Sequence, residues 1–273
     1  MQHRKIAFIG AGNMAHAIIA GLVNHGYPAK LITACSPTST HRDHIATQYG
    51  INSESDNIQV AQHADVIVLA VKPQMMAEVC QPLKESVDFK DKLVLTIAAG
   101  IPAKRYHDYL SDSLRLIRIM PNTPSLIGKG ISGLFAESQV NQQDKDFAQQ
   151  LMQSVGTTIW CQQEQGINEI IAISGSSPAY FFLFMESIQQ EAERLGFSAQ
   201  QARELVQQTA LGAVTLAGSQ PDTAFSTLRE QVTSKGGTTA AALSTFYEGH
   251  LPELVASAMQ NAIKRAEEME KLF

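Results

Sequence analysis

Short apolar, β-branched runs alternate with stretches of helical periodicity through the first part of the chain. Residues 5–9 predict a buried strand. Residues 13–24 predict a helix with an apolar face at Met14, Ile18, Ile19, Leu22 and Val23 and a stop at Gly26. Further strands are expected over 31–35, 66–71, 93–97 and 116–119, with helices over 39–49, 74–85 and 102–109 between them. Strands apolar on both faces and separated by helices imply a parallel, doubly wound α/β sheet. A last strand pair, 131–135 and 157–161, closes this region around a helix at 143–154. Beyond residue 163 only helical patterns remain, over 164–173, 178–195, 198–218, 222–230, 237–248 and 251–271. Several are apolar around much of their circumference, notably 180–185 and 210–217, which predicts burial against a partner subunit. The expected organisation is an α/β domain over 1–163 followed by an all-helical dimerisation domain over 164–273.

Composition narrows the function. An apolar content of 44% and a charged content of 17% describe an ordinary globular protein. A net charge of −5 with no basic run argues against a nucleic-acid or anionic-membrane surface. Cys35, Cys80 and Cys161 are odd in number and widely spaced, unlike a disulfide framework or a zinc cluster, and read as free thiols in a reducing compartment. The apolar run 6–9 is too short for a signal peptide, and 66–71 and 179–185 are too short to span a bilayer. A cytoplasmic protein is expected, with no membrane or nucleic-acid partner.

Candidate chemistry begins where the first strand ends. Ile9, Gly10, Ala11, Gly12, Asn13, Met14 and Ala15 fit G-x-G-x-x-A between a strand and a helix. Gly10 permits the tight turn, Gly12 lets the backbone approach a pyrophosphate, and the helix start offers free N–H groups to phosphates. This is the Rossmann arrangement, and the expected ligand is a nicotinamide dinucleotide. The second strand ends in Ser36 and Thr38 rather than a carboxylate, the nearest acid being Asp43, which favours NADP over NAD. The absence of an arginine fork at that strand end keeps the preference modest.

Other strand ends supply further candidates. Ala70, Val71, Lys72 and Pro73 close the 66–71 strand, and Lys72 reads either as a cofactor contact or as a solvated lysine at a turn. Ala98, Ala99 and Gly100 leave room for a ribose or a nicotinamide. Asn122 and Thr123, in a loop stiffened by Pro121 and Pro124, read as groups that orient substrate or carboxamide, or as scaffold. Ser174 to Tyr180 reads as a cap-rich helix entry, with Pro178 suited to a first turn. Between Val232 and Thr239, Ser234, Gly236, Gly237, Thr238 and Thr239 form a glycine- and hydroxyl-rich helix entry that suits a carboxylate or phosphate. The plainer alternative there is an ordinary N-cap. His41 and His44 lack a third ligand and read as a solvated helix face, so no metal site is expected; no nucleophile elbow is present.

Taken in order, the segments 70–73, 120–124, 174–180 and 232–239 resemble those of pyrroline-5-carboxylate reductases, over essentially the whole chain. The segment 228–239 is the most specific match. The resemblance implies reduction of 1-pyrroline-5-carboxylate to proline, the last step of proline synthesis, with NADPH preferred and NADH possible. It implies that residues 9–14 hold the pyrophosphate, Ser36 and Asn57 the adenosine ribose or its 2′-phosphate, and 70–73 with 98–100 the nicotinamide half. It places the substrate carboxylate and ring nitrogen at Ser234, Gly236, Gly237, Thr238 and Thr239, with Thr239 and Ser234 the catalytic candidates. It also implies a homodimer, often built further into a homodecamer. Lys235 stands where many members have proline, and Ser177 where many have glycine; neither change removes a donor.

Two rival readings make different demands. A β-hydroxyacid dehydrogenase would need a lysine acid/base in the second domain, and no lysine occurs between Lys145 and Lys235. A non-catalytic dinucleotide sensor leaves the 232–239 segment without a role.

Overall fold

The computed structural model describes residues 2–272. The chain opens with β1 (Ile6–Ile9), α1 (Asn13–Asn24), β2 (Ile32–Cys35), α2 (Ser39–Tyr49), β3 (Asn52–Glu54) and α3 (Asn57–His63). It continues with β4 (Val66–Leu69), α4 (Met76–Ser86), β5 (Leu93–Thr96), α5 (Ala103–Tyr109) and β6 (Arg115–Met120). Then come β7 (Gly130–Ala136), α6 (Gln142–Gln153), β8 (Gly156–Trp160) and α7 (Gly166–Ile170), which runs into a π turn at Ile171–Gly175.

Among the described residues the eight strands form one sheet, in the order β3-β2-β1-β4-β5-β6-β7-β8. The chain winds outward from β1 to β3 and then back across β1 to β4, so the strand order reverses between β1 and β4. That reversal opens a crevice at the carboxyl ends of these two strands. Strand alternation explains the two-sided core. Ile6 and Phe8 pack with Ile18, Ile19 and Leu22 of α1 and Leu151 of α6. Ala7 and Ile9 point the other way, towards Val60 of α3, Cys80 and Leu83 of α4 and Tyr106 of α5. Helices on both faces make the sheet doubly wound, as the apolar runs imply. β7 departs from the parallel pattern by pairing antiparallel with β6. The link over 121–129 is shorter than the dozen or so residues a parallel crossover needs, so the chain doubles back. Gly128, with φ 68°, completes the reversal.

The chain divides into two compact units, one of Met1–Ser176 with Asn261–Phe273 and one of Ser177–Gln260. The expected division at 163/164 marks the last strand, whereas the packing changes partner later. Ile170 fills the space beside Gly133 of β7, where an added Cβ would stand 2.8 Å from its side chain, so α7 belongs with the sheet.

The helices α8 (Ser177–Arg194), α9 (Ala199–Ser219), α10 (Phe225–Gln231), α11 (Thr238–Glu248) and α12 (Leu251–Glu270) complete the chain. A capping box starts α9, with Ser198 and Gln201 satisfying each other's backbone N–H. Among residues 177–260, only Ala202 and Val206 are buried within the chain itself. Among the described residues, no helix is long and apolar enough to cross a membrane.

Candidate cofactor and substrate site

Because β1 to β5 run parallel, their carboxyl ends share one edge of the sheet, and five of the expected segments meet there: 9–14, Ser36, Asn57, 70–73 and 98–100. Gly10 has φ 107°, and a Cβ there would lie 2.7 Å from the Ala70 carbonyl carbon. Only glycine fits that close approach of two strand ends at the crevice. Gly10 N–H donates to the Cys35 carbonyl (2.8 Å), and Ala70 N–H to the Ile9 carbonyl (2.8 Å), which fixes the turn against both neighbouring strands. Gly12 is the N-cap of α1 and faces open space. The helix start has no side-chain cap and no acid in its first turn, so its leading N–H groups remain available to an anion. Ile9 and Ala11 are buried, leaving them backbone roles only.

The end of β2 carries an arginine that sequence reading missed. Arg42, in α2, reaches back so that its Nη1 donates to the Ser36 carbonyl (2.8 Å), while Nε donates to Asp43 (2.7 Å). Asp43's carboxyl is held below the usual carboxylate range by that hydrogen bond. Ser36 Oγ lies 3.3 Å from Thr38 Oγ1, and α2 also begins without a side-chain cap. Arg42 escaped notice because it sits six residues beyond Ser36, and only the helical turn brings it back. Asn57, the first residue of α3, has a buried Oδ1 with no hydrogen-bond partner among the described residues. Buried polar atoms are rarely left unmatched, so this orphan is open to a donor from outside the chain. With the uncapped α1 and the open face of Gly12, it shows that these residues fit a dinucleotide.

Lys72 is exposed at the start of a short turn, Pro73–Met75. Asn122 is committed elsewhere: its Nδ2 donates to the Ser174 carbonyl (3.1 Å), and its Oδ1 accepts from Ile131 N–H (3.0 Å). It ties the β6–β7 loop to the π turn, which is the scaffold reading. Burial pushes the Cys35 thiol up to about 11 and the Cys80 thiol up to about 12, so neither supplies a thiolate at neutral pH.

In the second unit, Ser234, Gly236, Gly237, Thr238 and Thr239 gather at the start of α11. Gly236 has φ 71°, the left-handed conformation that turns the chain into the helix. Gly237 is the N-cap, and no side chain caps it, despite four nearby hydroxyls at Thr233, Ser234, Thr238 and Thr239. Thr233 Oγ1 is spent on the Arg229 carbonyl (2.6 Å). A Cβ at Gly237 would lie within 2.5 Å of Ser234 Oγ, so this hydroxyl sits against the N-cap backbone. Ser234, Thr238 and Thr239 are exposed beside free helix N–H groups. No hydroxyl caps the helix, so its leading N–H groups are open to an anion, with these hydroxyls beside them.

Residues 164–269 match the family model described as pyrroline-5-carboxylate reductase dimerisation, and residues 5–100 match one described as NADP oxidoreductase, coenzyme F420-dependent. A Vibrio alginolyticus protein named pyrroline-5-carboxylate reductase is 59% identical over 273 residues, covering all of both chains. The chain belongs to the pyrroline-5-carboxylate reductase family. The solved reductase of Coxiella burnetii superposes with a TM-score of 0.93 at 39% identity, covering 98% of this chain and 99% of that one. The Plasmodium falciparum pyrroline carboxylate reductase, solved with NADP bound, gives a TM-score of 0.87 at 27% identity over 99% of both chains. The reductase family thus accounts for both halves of the chain: a Rossmann domain and a helical domain named for dimerisation.

Proposed function

We propose that this protein reduces 1-pyrroline-5-carboxylate to proline in the cytoplasm, with NADPH as the preferred donor and NADH as an alternative. The observation that carries the reading is the full-length agreement, at 59% identity, with an enzyme of that name. Residues 1–163 are assigned to the cofactor, and 164–273 to the substrate and the partner subunit. When bound, the dinucleotide supplies a hydride from its nicotinamide ring.

The chain's own residues have three tasks. The uncapped start of α1 and the Gly10–Gly12 backbone receive the pyrophosphate. Ser36, Thr38 and Arg42 receive the 2′-phosphate, and Arg42 supplies the positive charge that favours NADPH. Asp43 offsets part of that charge, which leaves room for NADH. The start of α11, with Ser234, Gly236, Gly237 and Thr238, grips the substrate carboxylate, and Thr239 hydrogen-bonds the ring nitrogen. A cyclic imine protonates readily, and its iminium carbon accepts a hydride well. The protein then has mainly to orient the reactants, without a strong general acid.

The assembly is a homodimer, alone or as the unit of a homodecamer, because the helical unit buries so little of its own apolar surface. Thr239→Ala tests the site: kcat should fall by about tenfold or more while NADPH affinity stays close to that of the unaltered protein. An unchanged kcat would remove Thr239 from the mechanism.

A further inference from the structure

The turn over 97–102 is held from below and from above by groups that no part of the proposed chemistry uses. Beneath it, Thr96 Oγ1 lies 2.5 Å from Tyr106 Oη and accepts weakly from Ala98 N–H (3.4 Å). Opposite Thr96 in the sheet register stands Arg118, a charged side chain only 2% exposed. Its Nη1 donates to Glu164, and the same carboxylate oxygen accepts from Ala103 N–H (2.6 Å), where the turn hands over to α5. Nη1 also approaches Glu270, at the end of α12, at 3.4 Å. Arg118 Nη2 is buried with no partner among the described residues, so the charge relies on these two acids. Above the turn, Met269 covers Gly100: a Cβ there would stand 2.9 Å from Met269 Cβ.

A buried arginine is costly unless it is paired, and broken pairs leave an uncompensated charge. The chain has placed one at a strand position that could have been apolar, and has brought its last helical turn back to meet it. We infer that Arg118, Glu164 and Glu270 form a brace that positions the Ala98–Gly100 turn for the nicotinamide half of the cofactor, with the end of α12 as its upper clamp. This rests on the reading of that turn as a cofactor contact. Glu270 and Met269 are therefore positioning residues, acting through the backbone of 98–102 rather than touching the reactants.

The test uses Glu270→Gln and Met269→Ala in the full-length protein, one weakening the ion pair and the other the cover over Gly100. Three quantities are read: amide hydrogen exchange over 98–103 in the unliganded protein, NADPH affinity by fluorescence titration, and KM for pyrroline-5-carboxylate. The expected result is faster exchange at 98–103 in both variants and NADPH affinity weaker by roughly three- to tenfold. The substrate KM should be little changed, a split that general loosening of the protein would not produce. Unchanged exchange overturns the brace itself. Faster exchange with unchanged NADPH affinity also overturns the inference, and locates the error in assigning the turn to the cofactor. Equal losses in NADPH affinity and in substrate KM overturn it in favour of a general role in stability.

Discussion

Gly10 and Gly12 share a motif but answer to different constraints. Gly10 is demanded by the protein, through a positive φ and the Ala70 carbonyl beside it; Gly12 faces open space, so no contact within the chain demands a glycine there. The motif spacing was enough to find both. Arg42 was invisible to the same reading, because its contact with Ser36 depends on α2 folding back over the strand end. Asn57 came only from family resemblance, and its buried Oδ1 has no partner among the described residues. Asn122, one of the groups considered for substrate or as scaffold, uses both its amide nitrogen and its amide oxygen in bracing a loop. At this scale Arg42→Ala should raise KM for NADPH on the order of tenfold while leaving KM for NADH nearly unchanged, because only the former carries a 2′-phosphate. Parallel steady-state titrations of the two cofactors check this, and an equal loss for both would dissociate Arg42 from the phosphate.

Among the elements, those with an apolar signal were legible and those without it were not. β1, β4 and β5 are buried on both faces and announce themselves as apolar runs. β3 is a three-residue edge strand of Asn, Ser and Glu, held by pairing with β2, and neither its composition nor its length separates it from a loop. The short α3 was missed with it, although Asp56 caps it by accepting from Ile58 N–H (2.8 Å) and Gln59 N–H (3.2 Å). The turned-back β7 was legible as a strand but not in direction, which is set by the length of the preceding loop. α3 carries Asn57 in its first turn, so under the proposed cofactor role of Asn57 the Asp56 cap bears on NADPH binding. Asp56→Ala should cost about 1 kcal/mol of stability, read as a lowered Tm, and weaken NADPH binding more than substrate binding. A lowered Tm with unchanged NADPH affinity would detach α3 from the site.

At the scale of the whole molecule, the helical half sets the state of assembly. Phe181, Phe182, Leu183, Leu211, Val214 and Phe225 are all exposed on the single chain, Phe225 at 82%. Monomers rarely leave so much apolar surface in water. The apolar circumference of these helices was readable in the sequence. The packing boundary was not, because α7 and the end of α12 are helical yet belong with the sheet. Light scattering at micromolar concentration should give a dimer or a multiple of one, and Phe182→Glu should shift the protein towards monomer with reduced activity. A fully active monomer would contradict the covered-helix account.

In the proposed reaction a nicotinamide hydride reaches the imine carbon of pyrroline-5-carboxylate. This transfer is tested most directly with NADPH deuterated at the transferring position of the nicotinamide ring, followed by mass spectrometry of the product. The expected product is proline carrying one deuterium at its C5 carbon, formed in step with NADPH consumed. Unlabelled proline, or no proline at all with the cofactor intact, would contradict it.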